Sequence, residues 1–338
     1  MSRDAFAYSG ERFADLQMLR YRLNGFESLS LNQKTLIYCL SKATLFGRDI
    51  TFDQSGKYNL RIRRLLEIIY TTYKGDRNCD NFDALVTYLK RIWFSNGIYH
   101  HYGCEKFTPG FDEKYLRNLI QSSDMSLMPL RKGESVDDLC NELFPVIFDA
   151  DILPMRVTRE KGIDIIKNSA CNFYDGVSRE EVDKFYGDMK KGGDDHQPSY
   201  GLNSKLVKEN GELKELVWKE DGMYGAAIKK ITYWLEKAMQ YAENDRQKEV
   251  IALLVKYYRT GSLADFDEYS IKWVESQEGM VDFVNGFIEV YGDPAGLKGT
   301  WEGIVEYKDM EATRRTRTIS ENAQWFEDHS PVDKRFKK

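Results

Sequence analysis

The spacing of apolar residues predicts a chain built mainly from amphipathic helices. Apolar residues recur every three or four positions in Phe82–Phe94, as they do along one face of a helix. The same period marks Arg61–Tyr73 and three successive segments that follow Tyr224. Several of these segments begin with a Ser or Asn that is followed three residues later by Gln, Asp or Glu, which is the pattern of a helix N-cap. The pairs are Ser30–Gln33, Ser135–Asp138, Ser178–Glu181, Asn244–Gln247 and Ser262–Asp265.

The middle of the chain also carries signals for extended structure. Leu206–Glu209 and Glu212–Trp218 flank Asn210-Gly211, a dipeptide that favours the type I′ turn of a β-hairpin. Val146–Val157 is rich in apolar residues and stands between two prolines, so we expect an extended segment there. These signals add strands to a chain whose first 145 residues are predicted to be mainly helical.

A second pair of strands is predicted near the end of the chain. Phe283–Tyr291 and Thr300–Lys308 have the composition of strands and flank a Gly-Asp-Pro turn. Met310–Phe326, which follows, is polar and has a helical pattern. Helices that cover a few short strands are typical of the α+β class. We therefore predict a mainly helical lobe around a small β-sheet or barrel.

Composition excludes several classes of partner. The chain has 338 residues, 42% of them hydrophobic, and a net charge of −5, whereas a nucleic-acid-binding protein needs clustered Lys and Arg. No apolar run approaches the ~20 residues that cross a bilayer, so we expect no membrane partner. The N-terminus lacks a signal-peptide pattern, which favours the cytoplasm, or the periplasm if a signal segment was removed. Five scattered cysteines predict free thiols.

The stretch Gly286–Gly303 carries the strongest candidate chemistry. Glu289 and Tyr291 are two residues apart, and on a strand this spacing points both side chains to one face. A carboxylate beside a phenol can hold a cation and donate a hydrogen bond to a carbonyl, as binding the free amino end of a peptide requires. Spacing alone also fits an exposed Glu and a half-buried Tyr at a strand end. Glu302 adds a second carboxylate, for which a solvated position on the sheet is an equal alternative.

Other polar groups are weaker candidates. The adjacent His100 and His101 cannot readily bind one ion from a regular element, and no two histidines are four or five residues apart. Asp194, Asp195 and His196 could hold a cation, although a solvated loop is the favoured interpretation. A run of three arginines has a solvated helix face as its default interpretation and phosphate binding as the alternative. These arginines are Arg314, Arg315 and Arg317.

The sequence FIEVYGDP followed by GTWEG resembles the substrate-binding stretch of the dipeptidyl peptidase III family, which are zinc peptidases. Val290 stands where the family usually has Ser, and Thr300 stands where some members have Glu. The resemblance extends over essentially the whole chain and corresponds to the N-terminal half of a bacterial member. The other matching segments are Arg12–Tyr21, Phe52–Glu67, Tyr88–Phe111, Ser199–Val207 and Asn322–Lys338.

The resemblance implies a two-lobed enzyme with a wide cleft. Residues 1–308 would form the substrate-side, or lower, lobe, and residues 309–338 would begin the zinc-side, or upper, lobe or a connector. Glu289 would bind the α-ammonium of a peptide substrate, Tyr291 would hydrogen-bond its carbonyl or oxyanion, and Glu302 would lie near the cleft. The family's zinc signature begins with a His-Glu pair, and this chain has none. Zinc would therefore be bound in the full-length parent by the C-terminal half of the same polypeptide.

Two functions remain open from the sequence. The first is the N-terminal part of a zinc dipeptidyl peptidase, a hydrolase that releases dipeptides from peptide N-termini, with this fragment alone inactive. The second is a non-catalytic peptide-binding or interaction module, which the missing metal motif favours. An H-E-x-x-(x)-G-H motif downstream in the parent reading frame would decide for the peptidase.

Overall fold

A computed structural model describes residues 6–191 and 197–337. This part of the chain holds eleven α-helices and seven β-strands. The helices are α1 Leu31–Gln54, α2 Asn59–Thr72, α3 Asp80–Ser95, α4 Glu113–Gln121, α5 Val136–Phe148, α6 Arg179–Lys190, α7 Gly225–Met239, α8 Asp245–Thr260, α9 Leu263–Glu275, α10 Met310–Glu321 and α11 Ala323–His329. The strands are β1 Ser9–Phe13, β2 Leu16–Leu19, β3 Tyr174–Asp175, β4 Ser204–Glu209, β5 Glu212–Val217, β6 Val281–Glu289 and β7 Thr300–Tyr307.

The strands form three separate small sheets within the described residues. β1 pairs with β2, β3 and β4 are parallel with β5 antiparallel beside them, and β6 pairs antiparallel with β7. The α+β class is confirmed, and the sheet is realised as three short ladders. No closed barrel forms among the described strands, so the barrel alternative is wrong for this part of the chain.

The predicted helix starts are confirmed at atomic level. The side chains of Ser30, Ser135 and Ser178 each accept the backbone N–H three residues on, and the acidic or amide side chain at that position bonds back. Asn244 and Ser262 cap α8 and α9, because their side chains accept the backbone N–H groups of Gln247 and Asp265. The capping residues lie within three positions of the groups they satisfy, so the sequence alone could locate them.

One prediction about secondary structure is wrong, and one element was missed. Val146–Val157 is not a strand, because α5 continues through Pro145 to Phe148 and the following residues form turns. Its apolar residues complete a buried helical stripe with Leu139 and Leu143. The N-terminal hairpin of β1 and β2 was not foreseen, since nearly all of its residues are exposed and show no alternation of burial.

The helices surround two main hydrophobic cores. One core joins the apolar faces of α2, α3, α4 and α5. The other packs α1 against α7 and α8 and receives Phe283, Phe287 and Trp301 from β6 and β7. The second core therefore anchors the hairpin that carries the candidate site. The structure leaves all five cysteines unpaired, as predicted, and no described helix has the length and apolarity of a membrane span.

The division of the chain at residues 308 and 309 stays a prediction. α10 and α11 begin directly after β7 and bury none of their residues. Arg315 and Arg317 on α10 form ion pairs with Glu311 and Glu321 on the same exposed helix. This arrangement agrees with a solvated helix face.

Gly47 and Gly187 offer a matched test of packing in the second core. A Cβ at Gly47, inside α1, would lie 2.1 Å from the ring of Trp301, whereas a Cβ at Gly187, inside α6, would meet nothing within 4 Å. We expect Gly47→Ala to lower the free energy of unfolding by about 1–3 kcal/mol, because the core must shift. Gly187→Ala should raise it by about 0.5–1 kcal/mol through helix propensity. Urea denaturation of both variants checks the opposite signs.

Candidate functional site

The hairpin of β6 and β7 brings two carboxylates together. Glu289 is the last residue of β6 and is exposed, and it lies opposite Thr300 across the ladder. Glu302 is partly buried on β7 and lies opposite Gly286. A bulge between Phe287 and Glu289 shifts the register at this end of the hairpin, and bulges re-aim the side chains beside them.

Tyr291 lies beyond the end of β6 rather than on it. Its ring is 67% exposed, and its backbone carbonyl accepts a hydrogen bond of 2.9 Å from Nη2 of Arg159. The prediction that Glu289 and Tyr291 share one face of a strand is therefore wrong, since β6 ends at Glu289. The turn that follows the strand, held by Arg159, positions the phenol instead.

Electrostatics show that the three predicted residues share one patch. The pKa of the Glu302 carboxyl is raised by burial and by the negative charge of Glu289. The pKa of Tyr291 is raised by burial and by the charges of Glu302 and Glu289. The negative charge of Glu289 beside the Glu302 carboxylate favours a cation between the two groups. A neutral phenol beside them keeps its O–H as a donor.

A fully buried carboxylate shapes the turn between the two strands. Asp293 accepts backbone N–H bonds from Ala295, Leu297 and Lys298 at 2.8–3.1 Å, and the Tyr174 hydroxyl donates to it at 2.8 Å. Four donors around one carboxylate satisfy its lone pairs and fix the path of residues 293–298. Because this turn connects Tyr291 to Glu302, Asp293 sets the spacing of the site.

The same turn buries a lysine. Lys298 is fully buried, and its ammonium group donates to the hydroxyls of Tyr186 and Ser204, the latter at 3.1 Å. Its nearest carboxylate, Glu215, is 4.0 Å away and accepts a hydrogen bond of 2.8 Å from Tyr186. Burial lowers the pKa of Lys298 to about 8, against the opposing effect of Glu215 and Asp293.

This lysine predicts a dependence of stability on pH. Between about pH 8 and pH 10, the unfolded chain holds a proton on Lys298 that the folded chain has released. The free energy of unfolding should therefore rise with pH in this window, by at most about 1.4 kcal/mol per pH unit. Lys298→Met, which removes the titrating group, should lose this slope. Urea denaturation of both proteins from pH 7.5 to pH 9.5 measures it, and equal slopes would contradict the assignment.

Three neighbours of the site were missed in the sequence. Arg159 holds the Tyr291 carbonyl, while Arg156 and the exposed Tyr102 lie close enough to Tyr291 to affect its pKa. Arg156 donates to the carbonyl of His101 at 3.2 Å, and its Nε is buried with no hydrogen-bond partner among the described atoms. They come from loops more than 130 residues before Tyr291, so no local pattern could have indicated them.

The remaining candidates do not form a metal centre. Nδ1 of His100 accepts backbone N–H bonds from Tyr102 and Gly103 at 3.2 and 3.0 Å. The pKa of His101 is lowered by burial and by His100, against whose ring it stacks. Across residues 6–191 and 197–337, no three His, Cys, Asp or Glu side chains gather as a metal site requires. Asp194, Asp195 and His196 lie outside the described residues.

Comparison with known proteins gives a consistent result. Residues 197–338 match the model of peptidase family M49. The chain is 24% identical to dipeptidyl peptidase 3 of Dictyostelium discoideum over 94% of this chain and 48% of that protein. It is 22% identical to human dipeptidyl peptidase 3 over 93% of this chain and 46% of that protein.

The fold is shared with solved structures. DPP III from Caldithrix abyssi superposes with a TM-score of 0.61 at 15% identity, covering 93% of this chain and 46% of that one. Dipeptidyl-peptidase III from Corallococcus sp. strain EGB gives a TM-score of 0.57 at 14% identity, covering 94% and 46%. The chain thus spans about half the length of the relatives that it matches.

Proposed function

Because this chain belongs to the dipeptidyl peptidase III family, peptidase family M49, we propose that it supplies the substrate-binding lobe of a zinc dipeptidyl peptidase. The observation that carries the proposal is the patch formed by Glu289, Glu302 and Tyr291 at the end of the β6–β7 hairpin where the turn joins the two strands. It combines a place for a cation with a donor for a carbonyl. The free amino end of a peptide presents both groups a few atoms apart.

The two carboxylates provide the anchor for the peptide. An α-ammonium placed between Glu289 and Glu302 would neutralise the repulsion that raises the pKa of Glu302. Glu289 is exposed at the strand end, so it reaches a ligand without being desolvated in advance. A charge-assisted hydrogen bond of this kind is worth about 1.5–3 kcal/mol. The anchor therefore selects peptides by their unblocked N-termini.

Tyr291 provides the second contact. Its O–H can donate to the carbonyl of the scissile bond, and this bond strengthens as negative charge develops on the oxygen. The Arg159 bond to the Tyr291 backbone holds the donor in place while the ring stays accessible. The positive charge of Arg156 opposes the rise in the pKa of Tyr291, and it stabilises negative charge in the same region.

Zinc does not fit the described residues of this chain, since none of them form a suitable donor group. In our proposal the metal is held by residues of a longer polypeptide, and the present chain contributes peptide binding and orientation. We call that polypeptide the zinc-containing protein. Its reading frame should contain a His-Glu zinc motif after residue 338.

Hydrolysis of a dipeptidyl-arylamide tests this function. The zinc-containing protein should release arylamine from a dipeptidyl-arylamide, but not from its N-acetylated form or from an aminoacyl-arylamide. The present chain alone should release none and should retain less than one zinc per molecule after dialysis. Equal hydrolysis of the acetylated substrate, or a reading frame with no such motif, would contradict the proposal.

A further inference from the structure

A second cleft, of about 500 Å³, opens between α1, α2 and the first turn of α7. Its volume is within the range of about 300–1,000 Å³ that small-molecule sites occupy. It shares none of its lining residues with the candidate peptide site. Its lining residues include Phe46, Arg48, Asp49, Arg64, Tyr224 and Lys230.

The wall formed by α1 and α2 carries more positive than negative charge. Asp49 is its carboxylate, and Arg48, Arg63 and Arg64 all lie within 3.7 Å of it. One carboxylate cannot neutralise three guanidinium groups. Arg48 and Arg64 keep more than half of their side-chain surface exposed, so both can turn toward a ligand.

Arg63 lies directly behind this wall and is incompletely bonded. Its side chain is 95% buried, since only 5% is exposed, and its Nη2 donates to Asp49 at 2.8 Å. Its Nε is 3.4 Å from Glu67, but neither Nε nor Nη1 has a hydrogen-bond partner among the described atoms. A buried guanidinium directed at a lining carboxylate supplies positive potential to the cleft with little screening by solvent.

The opposite wall is also positive. The ammonium of Lys230 lies 5.4 Å from the centre of the Phe46 ring and forms no ion pair with a described carboxylate. Among the residues that line the cleft, Arg48, Arg64 and Lys230 stand against the single carboxylate of Asp49, which gives three positive groups and one negative group, a surplus of two.

The first turn of α7 faces this surplus without a cap of its own. Tyr224 is the N-cap residue, with φ of 64°, and its side chain does not cap the helix. The N–H groups of Gly225 and Ala227 donate to the carbonyls of Gly222 and Tyr224, which leaves the N–H of Ala226 without an acceptor among the described residues. That turn contains no acidic residue, and its side chains are those of Gly225, Ala226 and Ala227. The Tyr224 hydroxyl is bonded to Asp53 at 2.6 Å, so the tyrosine cannot fold over the helix end. The positive pole of α7 is therefore accessible from the cleft.

We propose that this cleft binds a phosphate group, either inorganic phosphate or the phosphoryl group of a small monoester. Arg48, Arg64 and Lys230 would contact the oxygens, with the N–H of Ala226 at the start of α7 as a further donor. The charge surplus of two matches the charge of a phosphate dianion. The ring of Phe46 provides an apolar surface for the organic part of a monoester.

Isothermal titration calorimetry of the present chain with inorganic phosphate and with AMP tests the proposal, with adenosine as an uncharged comparison. The double substitution Arg64→Gln/Lys230→Gln should raise the dissociation constant of the bound phosphate ligand at least about tenfold, since two charge-assisted contacts are lost. Lys230→Gln alone, a change at an exposed residue, should give a smaller loss in the same direction. Lys229→Gln is the matched control, because Lys229 is the adjacent residue but pairs with Asp221 at 3.4 Å.

The ligands distinguish the two sources of phosphate. Tighter binding of AMP than of inorganic phosphate would identify a monoester site, and equal binding would identify a site for phosphate alone. Three results would overturn the proposal: no measurable binding of either ligand, unchanged binding by the Lys230→Gln variants, or adenosine binding as tightly as AMP. Peptide binding is not involved, so this result is independent of the proposed peptidase function.

Discussion

Tyr291→Phe in the zinc-containing protein is expected to lower kcat about 100-fold, with a small change in KM. In our proposal the lost hydroxyl acts mainly on charge that develops in the transition state, and removing one such donor typically costs about 100-fold or more. The ring is 67% exposed and the substitution keeps it, so the melting temperature should not change. Steady-state kinetics on a dipeptidyl-arylamide measures the effect.

Glu289→Ala in the same protein should act by a different route. In our proposal Glu289 contacts the ammonium in both the ground state and the transition state, so its loss should raise KM at least as much as it lowers kcat. We expect kcat/KM to fall about 10- to 100-fold. Glu306→Ala is the matched control, because Glu306 is an exposed carboxylate on β7 that pairs with Asp282, at the end of the hairpin far from Glu289. Near-normal kcat/KM for both Tyr291→Phe and Glu289→Ala would show that this patch is not the substrate site.

Asp293→Ala is expected to have the largest effect on stability. It leaves the Tyr174 hydroxyl and the N–H groups of Ala295, Leu297 and Lys298 without their acceptor. It also removes a negative charge close to the buried Lys298 ammonium. Unsatisfied buried donors cost about 1–3 kcal/mol each. We therefore expect the free energy of unfolding to fall by about 3–5 kcal/mol.

Urea denaturation of the present chain measures this loss. Asp221→Ala is the control, since the side chain of Asp221 is 84% exposed and its single ion pair is with Lys229. That substitution should change the free energy of unfolding by less than about 1 kcal/mol. A similarly small change for Asp293→Ala would mean that the turn after β6 does not depend on this carboxylate.

The features that the sequence predicted well are those determined by neighbouring residues. The capping serines of α1, α5 and α6 lie three positions from their partners, and the Asn210-Gly211 turn defines its own hairpin. Asn210 and Gly211 both have positive φ, at 51° and 88°, as a type I′ turn requires. The assignment of Glu289, Tyr291 and Glu302 to a substrate site came from the family resemblance rather than from their spacing, and it stays a prediction.

The features that the sequence did not reveal depend on contacts between distant segments. The hydrogen bond from Arg159 to Tyr291 spans 132 residues, and the one from Lys298 to Tyr186 spans 112. Arg64 and Lys230, which face each other across the second cleft, lie on helices far apart in the chain. Tertiary packing decides these contacts, and hydrophobic periodicity contains no information about them. The same packing makes Val146 and Ile147 part of α5 rather than of a strand.

The central claim is that the patch of Glu289, Glu302 and Tyr291 recognises a free peptide N-terminus. Calorimetric titration of the present chain with a tetrapeptide and with its N-acetylated form tests this claim most directly, since it needs no zinc and no catalysis. The free peptide should bind at least about tenfold more tightly than the acetylated one, and Glu289→Gln should abolish the difference. Equal affinity of the unsubstituted chain for the two peptides, or a preference that persists in Glu289→Gln, would contradict it.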